Sequence, residues 1–220
     1  MKNMAIKYLS VGNEKMKNSS DDSKIVVSWG IPASDKTCPN AGACKNGCYA
    51  KGGRYGFPNV KNKLNERLTL AESDDFIHVI DDEIAYLKKK NADKQLYIRI
   101  HDTGDFFNES YTMKWLAIAR MNPDVKFYAY TKMVTMFLAY ESFGRIPDNF
   151  RVIFSYGGTE DKYIPSDKPH ARIFENVDKL NEAGYKDCSV NDLLIWTTDK
   201  VGLVYHGNKK WSNTDFVDVV

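Results

Sequence analysis

The feature that most constrains this chain is a repeated exchange between two periodicities. Runs of β-branched and aromatic residues at 25–32 (IVVSWGIP), 96–100 (LYIRI), 125–130 (VKFYAY), 150–155 (FRVIFS) and 201–205 (VGLVY) read as strands. Between them apolar residues recur every three or four positions. Leu64, Leu68, Ile77, Ile80, Ile84 and Leu87 thus predict two helices across 58–90, separated by an N-cap near Ser73-Asp74-Asp75. Further helices are predicted at 111–121 and through 137–143. Strands alternating with helices imply crossovers between parallel strands, and so an α/β fold with a largely parallel sheet. Trp115, Phe127 and Phe154 fall where such a fold buries its side chains. No repeat or linker divides the chain, and residues 1–220 read as one domain.

Parallel sheets of this kind gather ligands at the carboxyl ends of their strands. Those ends are polar or glycine-bearing here: Ser28-Trp29-Gly30, His101 to Asp105, Thr131-Lys132, Ser155 to Gly158, and His206-Gly207 after the last strand. Arg99 lies two residues before His101 and shares its face if the strand continues that far. His101, Asp102 and Asp105 have the chemistry for acid–base work or for holding a ligand. The run Asp-Thr-Gly-Asp is equally the composition of a turn. Lys132 suits a phosphate or carboxylate, or is a solvated lysine at a helix start. Gly104, Asp105, Lys132 and Ser155 are expected to line the pocket, and His78 and His170 receive no role.

Three thiols, Cys38, Cys44 and Cys48, fall within eleven residues, with five and then three residues between them. Gly42 and Gly47 allow the backbone angles needed to wrap a loop around one centre. Structural zinc usually takes paired C-x2-C knuckles, which are absent, so zinc ranks second. The expectation is an iron–sulfur cluster, 4Fe-4S, held in the loop 38–50. Cys188 is either the fourth ligand or a buried, inert thiol. His206 is either a ligand in its place or a hydrogen-bonding residue at a strand end.

Composition narrows the partners. Lys and Arg number 31 against 29 Asp and Glu, leaving +2, so net charge does not call for nucleic acid. The best local candidate for a nucleic-acid or phosphate contact is Lys51 to Phe57 followed by Lys61 and Lys63, though a solvated basic loop accounts for it as well. No apolar run approaches the roughly 20 residues that span a bilayer, and the first residues lack a signal-peptide core. A cytoplasmic protein is expected, in which clustered cysteines point to metal rather than disulfides.

Cys38 to Ala50 with its C-P start and C-Y-A end, Arg99 to Phe106, Tyr130-Thr131-Lys132 and Leu203 to Gly207 together resemble the bacteriophage gene product 88 family. That resemblance covers most of the chain and implies a phage or prophage origin, hence the host cytoplasm, without naming a reaction. The layout of strand, cysteine loop, helix and a second strand ending in Thr103-Gly104-Asp105-Phe106 also resembles radical S-adenosylmethionine proteins, although their C-x3-C-x2-C spacing is not matched. This second resemblance implies an incomplete (β/α) barrel, with S-adenosylmethionine as a further cofactor. Two readings follow. One is an enzyme using the cluster in radical S-adenosylmethionine style. The other is a non-catalytic protein whose cluster stabilises it or senses redox state while its surface meets a host or nucleic-acid partner.

Overall fold

The computed structural model describes residues 6–11 and 14–205. Its seven strands are Lys24–Trp29 (β1), Gln95–Ile100 (β2), Lys126–Thr131 (β3), Phe150–Ser155 (β4), His170–Phe174 (β5), Lys186–Asp187 (β6) and Lys200–Val204 (β7). They form one sheet in the order β1-β2-β3-β4-β5-β7-β6, and every pairing between them is parallel. The single α/β domain expected from the alternation is therefore observed. Its sheet is curled into a half-barrel.

The sequential order of β1 to β5 decides the layering. Parallel crossovers are right-handed, so connections that step in one direction put their helices on one face of the sheet. Pro58–Glu72 (α2) and Phe76–Lys90 (α3) lie between β1 and β2, Glu109–Met121 (α4) between β2 and β3, and Val134–Ser142 (α5) between β3 and β4; the short helix Glu14–Asn18 (α1) precedes β1. The break between α2 and α3 falls at Ser73 to Asp75 as predicted, although the Asp75 side chain makes no capping bond. Asn108 does cap α4, its side chain accepting from the Tyr111 amide at 2.8 Å.

Period-two alternation then sorts the side chains. In β2, Leu96, Ile98 and Ile100 face the helices and are buried. They join Trp29, Phe76, Trp115, Phe127, Phe137 and Phe154 in the main core. The alternate residues Tyr97, Arg99, Tyr128, Tyr130 and Ile153 face the concave side. A half-barrel leaves that side open, and here it is filled by a second, smaller core. Met16 of α1 and Ile195 of the 3-10 turn Asp192–Thr197 pack there on Val26, Tyr128, Ile153, Ala171, Cys188 and Val201. This plug, with β5, β6 and the short helix Val177–Glu182 (α6), was not predicted from the sequence. No helix of the described residues is long and apolar enough to cross a membrane.

Candidate functional site

The carboxyl ends of β1 to β4 meet beneath the cysteine segment, which docks by its backbone. Ala41 forms an antiparallel bridge with Gly158, and the Gly42 and Cys44 amides both donate to the Gly157 carbonyl at 3.1 Å. The Asp105 amide donates to Thr37 O, and Thr159 N donates to Asn40 O. A Cβ on Gly158 would come within 2.9 Å of that same Asn40 oxygen, so a glycine is what lets the two segments approach. The Asp161 carboxylate holds the turn after β4 from below, accepting from Gly157 N at 2.7 Å and Gly158 N at 2.8 Å.

Asp105 ties β2 to β3. One carboxylate oxygen accepts from the Thr131 hydroxyl and the Phe106 amide, both at 2.7 Å, and the other from the Lys132 amide at 2.9 Å. Burial pushes this carboxyl upward, against the pull of those donors and of the Lys132 charge. The Lys132 ammonium donates to Ser155 Oγ at 3.0 Å. Asp105, Lys132 and Ser155 are thus brought together as anticipated, and Gly104 adjoins them with a positive φ of 82° against Ile31.

His101 and Arg99 part company. The strand stops at Ile100, and His101 takes a φ of 68°, which turns its ring into the helix layer. There Nε2 shares a 2.9 Å hydrogen bond with Tyr111 Oη, and the ring stands edge-on to Phe106. Burial, with Arg99 adding to it, pushes this imidazole down to about 3, so it is neutral. Arg99 instead points into the concave side, donating to Asp192 Oδ2 at 3.0 Å.

Asp102 stands between two guanidiniums. Ser28 donates to its Oδ2 at 3.1 Å, and Arg99 and Arg67 both draw its pKa down while burial, the larger effect, pushes it up. Arg67 comes from α2, is 5% exposed and lies over the Trp29 ring at 5.8 Å. Tyr49 covers this corner: its ring is largely exposed, while its hydroxyl reaches in to donate to the Asp102 carbonyl. Tyr55 packs edge-on against Tyr49 at 5.7 Å. Around this corner Arg67 Nε, Arg99 Nε, Asp102 Oδ1 and Thr103 Oγ1 are all buried without a hydrogen-bond partner. Sequence reasoning gave Arg67 and Tyr49 no role at this corner and reached Tyr55 only within the basic stretch Lys51 to Phe57. The signal for Arg67 was present, since it sits on the apolar stripe of α2 between Leu64 and Leu70, where an unpaired cation has no packing reason to be.

The cluster expectation is overturned. Among the described residues no group of three or more His, Cys, Asp or Glu side chains is placed to hold a metal ion. The docked loop explains this physically. Pairing at Ala41, followed by 3-10 turns at Ala43–Lys45 and Tyr49–Lys51, distributes Cys38, Cys44 and Cys48 along the rim without converging them on one centre. Burial, then Asp105, pushes the Cys38 thiol up to about 12, and burial likewise raises Cys44. Cys188 is fully buried in the concave plug, where Lys15 and Asp192 act on it, and burial raises it to about 11. With no iron–sulfur site to use, the cluster-based enzyme and the cluster-stabilised binding protein both fall. His206 lies outside the described residues. A cleft of about 250 Å³ lies between the end of α2 and the start of α4, lined by Ala71, Phe107, Asn108, Ser110 and Lys114 among others.

The family model for gene product 88 matches residues 7–212. The chain belongs to the gene product 88 family. Two curated relatives are the gene 88 proteins of Mycobacterium phages L5 and D29, each 34% identical over 120 residues, covering 50% of this chain and 49% of the relative. The match therefore spans about half the length of those gene product 88 proteins. No solved structure matches the chain, so the likeness of this gene product 88 half-barrel to radical S-adenosylmethionine proteins has no structural neighbour behind it.

Proposed function

We propose that the mouth of the half-barrel binds a small molecule through an anionic group and a hydrogen-bond donor that the same molecule carries. The observation that carries this reading is the group of four buried, unpartnered polar atoms at the end of β2: Arg67 Nε, Arg99 Nε, Asp102 Oδ1 and Thr103 Oγ1. Each such atom destabilises a fold by about 1–3 kcal/mol, and natural proteins keep few of them. Four around one corner argue for a binding role. Arg99 is paired with Asp192, but Arg67 has no ion pair among the described residues and suits an anionic group, and the free Asp102 oxygen suits an N–H or O–H on the same ligand. Lys132 and Ser155 supply a second polar pair farther along the rim.

Two probes carry this chemistry from different sources. Inorganic phosphate offers anionic oxygens and a hydroxyl, and S-adenosylmethionine offers a carboxylate and an ammonium. Isothermal titration calorimetry on the full chain is expected to show saturable binding of at least one. Arg67→Gln and Asp102→Asn should each weaken it by about tenfold or more, the equivalent of about 1.4 kcal/mol. Absence of binding by both probes, or binding indifferent to both substitutions, overturns the reading.

A further inference from the structure

The segment that covers the mouth has a second, outward-facing character. From Lys36 to Asn65 the sequence holds Lys36, Lys45, Lys51, Arg54, Lys61 and Lys63 and no Asp or Glu, in a chain whose overall charge is only +2. Lys36 and Lys45 pair with Glu72 and Asp35, and Lys51 donates to a backbone carbonyl. Arg54, Lys61 and Lys63 are exposed and, among the described residues, form no ion pair or hydrogen bond through their side chains. The three free cations flank the start of α2, whose first turn carries no acidic residue to offset the positive end of the helix dipole.

Aromatic rings stand among these cations. Tyr49 is 58% exposed and Phe57 is 56% exposed, an unusual state for side chains of this size. The backbone between them turns through Tyr49–Lys51 and Gly53–Gly56, and Cβ atoms built on Gly52, Gly53 or Gly56 would meet nothing within 4 Å. Tyr49 is held at its hydroxyl by the Asp102 carbonyl and at its edge by Tyr55, with the rest of its ring open, while Phe57 makes no ring contact among the described residues.

We infer that the exposed surface around the start of α2, with the rings of Tyr49 and Phe57 and the cations Arg54, Lys61 and Lys63 spread on either side of the helix, binds single-stranded nucleic acid. Unpaired cations track a phosphate backbone, and exposed rings give unpaired bases a surface to stack on. A duplex keeps its bases stacked inside and would use only the cations. An anionic membrane would likewise use the charges, but the short turns supply no amphipathic helix, and the apolar side of α2, with Leu64, Leu70 and Ala71, is already buried in the fold. Tyr49 also touches the anion corner through its hydroxyl, so Phe57, Lys61 and Lys63, which form no hydrogen bond or ion pair with that corner among the described residues, carry the test.

Fluorescence anisotropy of the full chain with a labelled single-stranded oligothymidylate of about 15 nucleotides tests this, with the matching duplex as comparison. Single strands are expected to bind about tenfold more tightly than duplex, weakening between about 50 and 200 mM salt. The Lys61→Glu/Lys63→Glu double variant should lose about tenfold or more, and Phe57→Ala should lose about five- to tenfold with the salt dependence unchanged. All three side chains are exposed, so circular dichroism should report an intact fold. Failure to bind the single strand overturns the inference. So does equal binding of the duplex with no effect of Phe57→Ala, or capture by phosphatidylserine vesicles without binding of the oligonucleotide.

Discussion

At the scale of single residues, His101 shows how one backbone angle reassigns a side chain. Strand alternation alone would put it on the concave face beside Arg99; a φ of 68° sends it to Tyr111. Its folded pKa of about 3 lies below the ordinary histidine value near 6.5, so the unfolded chain binds a proton that the folded chain refuses. The associated stability is fully present above about pH 6.5 and is lost as pH falls toward 3, by up to about 1.4 kcal/mol per unit. Asn tolerates the left-handed angle, so His101→Asn should fold. Urea unfolding between about pH 4.5 and 6.5 should then give a flatter dependence for the variant than for the wild type; equal slopes would refute the buried neutral histidine. The residue types at the strand ends were legible in the sequence, but their facing was not, because it depends on dihedrals that composition does not encode. Arg67 was visible as a cation on the apolar stripe of α2, but its partner was not, because Asp102 stands at the end of β2 beyond the whole of α3.

At the scale of elements, the strand–helix rhythm was legible because each element is long enough to show its period. Boundaries for β4 matched, and those of β1, β2, β3 and β7 shifted by only a few residues. The cysteine segment was legible as a loop and illegible in shape, since its path is dictated by Gly157 and Gly158 more than a hundred residues away. Gly104 marks where β1 and β2 end against each other. Its φ is 82°, and a Cβ there would stand 2.4 Å from Ile31 Cγ1. Left-handed strain of about 1–2 kcal/mol adds to overpacking of about 1–3 kcal/mol, so Gly104→Ala should lower stability by about 2–5 kcal/mol. A shift of the urea midpoint with an unchanged slope would register this; an unmoved midpoint would mean that the β1–β2 end relaxes freely.

At the scale of the whole molecule, a half-barrel has a concave face to cover, and here one carboxylate organises the cover. Asp192 is fully buried and accepts from Lys15 at 2.8 Å, Arg99 at 3.0 Å, Tyr128 at 2.7 Å and Tyr130 at 3.1 Å, while its amide donates to Ser19 Oγ. It thereby joins α1, β2, β3 and the turn Asp192–Thr197 in one network. Burial works against its charge, but Arg99 and Lys15 outweigh that and hold the carboxyl down to about 2. The same charge lifts Arg99 against its own burial, whereas in Lys15 burial prevails. None of this was legible, because α1 and the turn are too short to show a period and the meaning of Asp192 lies wholly in its tertiary partners. Asp192→Asn keeps the shape and leaves two buried cations unmatched, a loss of about 3–5 kcal/mol in comparable networks. The carboxylate's contribution is present above about pH 4 and disappears as pH falls toward 2, so the gap between wild type and variant in thermal unfolding should narrow across that interval. A variant as stable as the wild type at neutral pH would mean that Met16, Ile195 and their apolar neighbours close the half-barrel alone, with the ion network riding on a plug already seated.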